Sequence, residues 1–306
     1  MELRALRYFL AVAREENMTE AANVLHVTQP TLSRQIADLE RELGCRLFVR
    51  TNRSCVLTED GMRLRQRAEE ILSLVEQTEG ELAERAGDFA GNIRIGAGET
   101  QAMRLVTDVF ARMRADYPGV TWELFTGNAD AVQERLERGL LDFALLLEPV
   151  TLEKYEWLRM PGADRVGVAV PAASEWAALS AATPADVARM PLLVSSRSTN
   201  RPLDLEVWSS GALRASDLDV VGTFDLLGNA AHLVRSGAAC AMGIDRLLEL
   251  DAGGLVFVPL EPALSIGSYL VWKRYRLRSR TCEEFLERMR RACRQSLGCS
   301  HRKEAS

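Results

Sequence analysis

Thr28, Gln29, Pro30, Thr31, Ser33 and Arg34 open a stretch in which Leu32, Ile36, Leu39 and Leu43 recur at steps of four and three. That spacing predicts a helix with one apolar face. Thr28 stands where a side-chain oxygen can cap the first turn, and Pro30 is harmless there because its missing N–H had no partner to lose. Turning about 100° per residue from Pro30 sets Leu32, Ile36, Leu39 and Leu43 on one side, and Pro30, Arg34, Ala37 and Arg41 on the other. The chemistry that suits this polar end is recognition of a DNA duplex. Free N–H groups at a helix start attract phosphate, Gln29 and Arg34 can reach base edges, and the Pro30 ring or Thr31 methyl can meet a thymine methyl.

Charge distribution agrees, although the formal net charge is −5, the wrong sign for a phosphate binder if spread evenly. Residues 21 to 37 contain no Asp or Glu. Residues 43 to 58 contain none either and carry Arg46, Arg50 and Arg53, while acids return only at Asp38, Glu40 and Glu42. From 28 to 58 five arginines face three acids, a local net of +2. So small an excess predicts that tight binding takes more than one copy. Arginine abundance as such carries no weight, since only three of the 38 basic residues are lysine. A helix-turn-helix used for protein contacts is the competing reading.

Several elements must position these groups. Leu3, Leu6, Phe9, Leu10 and Ala13 predict an amphipathic first helix over residues 3 to 16. Thr19 is expected to cap a short second helix whose Ala21, Ala22 and Leu25 allow close packing. The third helix then runs from Thr28 to a stop at Gly44. Two short pieces, LFVR and CVLT, flank TNRS and read as a hairpin with Arg53 at its tip, able to enter the minor groove. Three helices and a hairpin make a winged helix-turn-helix over residues 1 to 58. Thr58 then caps a long linker helix, 59 to 88, with Glu59 and Asp60 in its first turn. Leu64, Ala68, Ile71, Val75, Thr78 and Leu82 follow at steps of four and three, a coiled-coil seam read as a dimerisation arm. Packing of this helix against its own chain is the alternative.

At 306 residues, with 47% hydrophobic and 26% charged, two or three folded units are expected. Strand-like IRIGAG, VTWELF and DFALLL alternate with helical patterns, and DRVGVAVP, PLLVS, DVVGTF, ACAMGI and LVFVPL form a second set, the rhythm of α/β units. Helices are expected near Glu175, Pro184, Thr199 and Asn229, with a last strand at GSYLVWKR and a last helix over 279 to 294. No apolar run approaches the roughly 18 residues of a membrane span, and Glu2 and Arg4 do not suit a secretion signal, so a cytoplasmic protein is expected. The six cysteines and three histidines make no ligand-like cluster, and small buried hydrophobes are the expectation for the cysteines, a thiol switch the alternative. No metal or cofactor is expected. No G-x-S-x-G, P-loop or His-centred constellation points to catalysis, and His232 reads as a helix surface residue.

The segment MTEAANVLHVTQPTLSRQIADLERELGCRLFVRTNRSCVLTEDG resembles the N-terminal signature of LysR-type transcriptional regulators. The match lies in Ala21-Ala22, Leu25, Gln29-Pro30, Ser33, Ile36, Leu39-Glu40, Leu43-Gly44, Leu47-Phe48, Arg50, Leu57-Thr58 and Gly61, and the layout fits the whole chain. The resemblance implies dimers of dimers on imperfect inverted repeats in double-stranded DNA, with a small effector altering the DNA geometry. It points to Gln29, Pro30, Ser33, Arg34 and Arg53 at the DNA. It also implies a C-terminal effector-binding part, 89 to 306, similar to periplasmic solute-binding proteins: two α/β lobes (92 to 161 with 267 to 297, and 162 to 266) crossing near Met160 to Gly162 and Ser265 to Gly267.

Ligands of open α/β sheets sit at strand carboxyl ends beside helix starts. Glu99, Thr100, Gln101, Gly127, Asn128, Ser195, Ser196 and Asn229 are therefore the expected effector contacts, although each could equally cap its own helix. Glu99 stands where many relatives carry a hydroxyl. It disfavours a simple carboxylate ligand unless Arg197 or Arg201 balances it, and suggests a ligand with a cationic or hydroxyl group. A regulator that binds DNA without a ligand, its lobes serving only for oligomerisation, is the competing reading.

Overall fold

A computed structural model describes residues 1–50, 54–83, 89–196, 205–247, 254–274 and 278–303. The chain divides into two bodies, Met1–Arg85 and Ala86–Ser306.

The first body holds α1 (Leu3–Glu15), α2 (Met18–Val24), α3 (Gln29–Leu43), β1 (Phe48–Arg50), β2 (Cys55–Leu57) and α4 (Glu59–Ala83). Asn17, not Thr19, caps α2: its Oδ1 accepts from the N–H groups of Thr19 at 2.8 Å and Glu20 at 3.3 Å. Asparagine outranks threonine at that position, so the helix starts two residues earlier than the sequence suggested. Thr28 caps α3, and Gly44 closes it in the left-handed region at φ 70. Leu32, Ile36 and Leu39 are buried, whereas Leu43 is 39% exposed, so the apolar row ends before the helix does. Beneath α3 lie Leu6, Phe9, Val12, Ala21 and Ala22, and the Phe9 and Phe48 rings sit 5.3 Å apart.

The antiparallel wing pairs Phe48 with Leu57 and Arg50 with Cys55. Glu40 pins its start: Oε1 accepts from the N–H groups of Leu47 at 2.8 Å and Phe48 at 3.3 Å. Bonds to a charged acceptor of this kind contribute about 2 kcal/mol. The acid on α3 is therefore structural, and it lies away from the helix start.

The first half of α4 packs on its own chain. Ala68 and Leu72 belong to the first body's core, with Leu64 and Ile71 packed against it. Ala68 was expected on a seam facing a partner copy; it is fully buried instead, because α4 lies against α1. Leu74 and Thr78 are exposed and Val75 half-buried, while the side chain of Leu82 falls outside the described residues.

The second body has two sheets. In the first, β4 (Gly119–Thr126), β3 (Ala90–Ala97) and β5 (Phe143–Leu147) run parallel, followed by β13 (Ser268–Lys273) and β6 (Tyr155–Arg159) in antiparallel pairings. Helix α5 (Met103–Asp116) and the last helix, Arg280–Lys303, cover one face. Helix α6 (Ala129–Glu137) covers the other, over Ala144, Leu146 and Val271. The second sheet has the order β11 (Leu255–Pro259), β7 (Asp164–Pro171), β10 (Cys240–Ile244), β8 (Pro191–Ser195), β9 (Asp219–Phe224). Its helices include α7 (Pro184–Val187), α8 (Leu205–Trp208) and α9 (Leu227–Arg235); the last helix of the chain is therefore α10. The region expected to start a helix at Glu175 forms a 3-10 turn, Glu175–Ala178, and the helix expected near Thr199 lies outside the described residues. Strand β6 had no counterpart in the sequence reading.

Two passages join the sheets. One runs from β6 to β7, and the other returns from β12 (Ser265–Ile266), which pairs with β7, to β13, which pairs with β6. The Met160 N–H donates to the Ser268 carbonyl at 3.0 Å and the Val166 N–H to the Leu264 carbonyl at 2.8 Å. The two passages thus form a hydrogen-bonded pair between the lobes.

Candidate nucleic-acid interface and inter-lobe cleft

Thr28, Gln29, Pro30, Thr31 and Arg34 are all exposed, and Ser33 is half-buried. The helix that carries them is held from below by Leu32 and Ile36, both at 0% exposure. The hydroxyls of Thr28 and Thr31 lie 2.8 Å apart in a shared hydrogen bond that tightens the first turn. Arg41 is engaged by Asp38 at 2.7 Å. Among the described residues no carboxylate pairs with Arg34, so its guanidinium presents its fork of donors outward. Arg53 lies outside the described residues, as does the side chain of Arg50.

In the second body a cavity of about 180 Å³ lies between the lobes. Of the candidate effector contacts, Glu99, Gly127, Asn128 and Ser195 line it. Thr100 does not: it is buried, and its hydroxyl donates to Asp164 Oδ2 at 2.5 Å. Burial pushes the Asp164 carboxyl up, against the Thr100 hydroxyl and the Gln101 N–H, which draw it down. Gln101 is also outside the lining, its amide donating to the carbonyls of Asp245 at 3.3 Å and Arg246 at 2.6 Å. Ser196 is engaged with Asp225. Asn229 was expected at a helix start, but α9 begins at Leu227, which leaves Asn229 exposed within the helix and off the cavity wall.

Several of these bonds cross between lobes. The Leu227 N–H, at the start of α9, donates to Glu99 Oε2 at 2.5 Å. Asn128 caps α6 by accepting from the Ala131 N–H at 2.9 Å and donates across to Asp225 Oδ1 at 3.1 Å. Leu226, the cap position of α9, offers no side-chain oxygen; Glu99 supplies it from the opposite lobe.

Sequence reasoning missed Glu148 and Asp225, both on the wall with Leu145, Leu146, Leu147, Phe224 and Met242. One signal was present: an acid standing directly after a five-residue apolar strand. Glu148 Oε2 accepts from the Gly267 N–H at 2.9 Å and Oε1 from the Tyr269 hydroxyl at 2.9 Å. Those bonds, with the Arg159 charge, hold its carboxyl below the usual range. The Ser196 hydroxyl and the Asn128 amide do the same for Asp225.

Elsewhere the chemistry is quiet. No group of His, Cys, Asp and Glu fit to hold a metal occurs among the described residues. Burial pushes the Cys240 and Cys293 thiols up to about 11, which keeps them protonated and unreactive at neutral pH. His232 is exposed on α9. On α10, Arg288 is paired with Asp116 at 2.6 Å and Glu284 at 2.7 Å, and Arg290 with Glu287 at 2.7 Å. No described helix is long and apolar enough to cross a membrane.

Comparison with known proteins places both bodies. Residues 3–62 match the family described as "Bacterial regulatory helix-turn-helix protein, lysR family", and residues 86–294 match "LysR substrate binding domain". The HTH-type transcriptional activator IlvY of Salmonella typhimurium is 37% identical over 152 residues, covering 50% of this chain and 52% of that protein; the chain thus spans about half the length of this relative. The HTH-type transcriptional regulator YcgK of Bacillus subtilis is 26% identical over 323 residues, covering 99% of each. Among solved structures, CbnR, a LysR family transcriptional regulator, has a similar fold: TM-score 0.75, 21% identity, 96% of this chain and 99% of that one. Full-length CbnR complexed with its target DNA gives a TM-score of 0.72 at 21% identity, covering 97% and 100%.

Proposed function

The chain belongs to the LysR family, and from that premise we propose that it is a sequence-specific, DNA-binding transcription regulator of the cytoplasm, not an enzyme, whose grip on a promoter is set by a small molecule held between its C-terminal lobes. The observation that carries this reading is the amino-terminal end of α3: Gln29, Pro30, Thr31 and Arg34, which pairs with no carboxylate among the described residues, are exposed together where Leu32 and Ile36 hold the helix from below and no acid precedes Asp38. Phosphates orient such a helix and base edges select its register. One copy offers little charge, so the working form is a homodimer or homotetramer on an inverted repeat. The far half of α4, with Leu74, Val75 and Thr78, is the part of the linker helix left to meet a partner copy.

One observation favours a second reading, regulation without a ligand: Glu99, Gln101 and Asn128 already tie the lobes to each other. Under that reading the lobes serve for oligomerisation alone.

The test of the DNA reading is affinity for the duplex flanking the chain's own gene against a scrambled duplex of equal length, across a salt series. A preference of at least about 10³ for the native duplex is expected at physiological salt. Equal affinity for both, or no binding even in dilute salt, would overturn it.

A further inference from the structure

The cavity between the lobes is mainly apolar, with Asn128 and Ser195 as neutral polar groups and three carboxylates on its wall. Glu99, Glu148 and Asp225 line it, and no Arg, Lys or His does so among the described residues. Each carboxylate is met by neutral donors: Leu227 N–H at Glu99, Gly267 N–H and Tyr269 hydroxyl at Glu148, Ser196 and Asn128 at Asp225. Neutral donors satisfy hydrogen bonds but leave the negative charge in place. An anionic ligand would add like charge to a space walled by low-dielectric side chains, where repulsion is strongest.

The helix starts an anion would use are also occupied. Glu99 Oε2 sits on the N–H of Leu227 at the start of α9, and the Asn128 side chain caps α6. The second oxygen of Glu99 is different. Among the described residues no donor reaches Oε1, and the only atom an added Cβ at Gly228 would meet within 4 Å is that oxygen, in ordinary contact at 3.8 Å.

We infer that the cleft receives an organic cation, a protonated amine on a compact apolar body, with its ammonium against Glu99 Oε1 and its carbon skeleton along Leu145, Leu147, Phe224 and Met242. This selects the cation over the neutral hydroxyl that Glu99 alone would also permit. It rests on the cleft being the ligand site proposed above. Glu99 is then the residue that determines specificity, and it links ligand to lobe closure because its other oxygen holds the opposite lobe.

The test uses the full chain and matched probes at pH 7: n-pentylamine, 1-pentanol and pentanoate, followed by calorimetry and by thermal shift. The amine should bind at least about 10-fold more tightly than either of the others. Glu99→Gln keeps an acceptor for Leu227 N–H and should erase the preference over 1-pentanol, while Glu148 and Asp225 still disfavour pentanoate. Gly98→Leu, at a wall position where a Cβ meets nothing nearer than the Gly127 carbonyl at 3.7 Å, should fill the cavity and abolish binding. Pentanoate binding as tightly as the amine to the parent chain, a preference over 1-pentanol that survives Glu99→Gln, or no binding of any probe overturns the cation assignment. Tight binding of any probe that Gly98→Leu leaves unchanged overturns the cleft itself as the ligand site, a separate failure.

Discussion

Gly61→Ala should destabilise the N-terminal body by about 3 kcal/mol or more, at the upper end of the range for overpacking, which for a body of this size lowers Tm by roughly 12–24 °C. A Cβ at Gly61 would lie 2.2 Å from the Leu47 carbonyl oxygen and 2.9 Å from Leu57 Cδ2. The first neighbour is backbone, and it already accepts from the Thr58 N–H at 3.0 Å. Neither the wing nor the start of α4 can yield without breaking that bond. Gly44→Ala is the contrast: nothing lies within 4 Å, and only the left-handed backbone at φ 70 resists, a cost of about 1 kcal/mol. Amide hydrogen exchange of α1, α3 and α4 reads this body separately from the other. A Gly61→Ala chain with exchange like the parent's would show that the close approach is absent.

Arg34→Ala should weaken binding to the native upstream duplex by 10- to 100-fold, because a bidentate base contact is worth about 1–3 kcal/mol of discrimination. Binding to scrambled DNA should fall by less than about 3-fold, since a lost base contact removes no phosphate attraction. Arg41→Ala should change both only slightly, its guanidinium being held by Asp38. Equal losses for Arg34→Ala on the two duplexes, with a salt slope reduced by about one, would make Arg34 a phosphate contact.

The helix-turn-helix was legible because its signals are local. Apolar periodicity, the Thr28 cap and the Gly44 stop each act within one or two turns, and the absence of acids can be read directly. Glu40 shows where locality ends: as a residue type it looked like returning surface charge, and only the turn at Leu47 and Phe48 shows what it binds. The linker helix shows the same limit, for a seam spaced for a partner copy is spaced equally well for α1, and Ala68 went to α1.

In the second body most strands were legible from their apolar runs, β6 being an exception, but only part of the cavity wall was. Glu99 and Asn128 were found because they follow strand ends next to helix starts. Glu148 and Asp225 also follow strand ends, but their partners Tyr269 and Asn128 come from the antiparallel return of β13 and from the opposite lobe, which no spacing along the chain encodes. Thr100 and Gln101 carried the expected types at expected positions, and their bonds to Asp164, Asp245 and Arg246 hold lobe to lobe.

The central claim is that the amino-terminal turn of α3 enters the major groove. Guanine N7 lies in that groove, so methylation protection on the bound upstream duplex reads the claim directly. Protected guanines should fall in two groups about one helical turn, or a whole number of turns, apart, and Arg34→Ala should restore reactivity at one guanine in each group. Full occupancy of the duplex with every guanine N7 as reactive as in free DNA would contradict it.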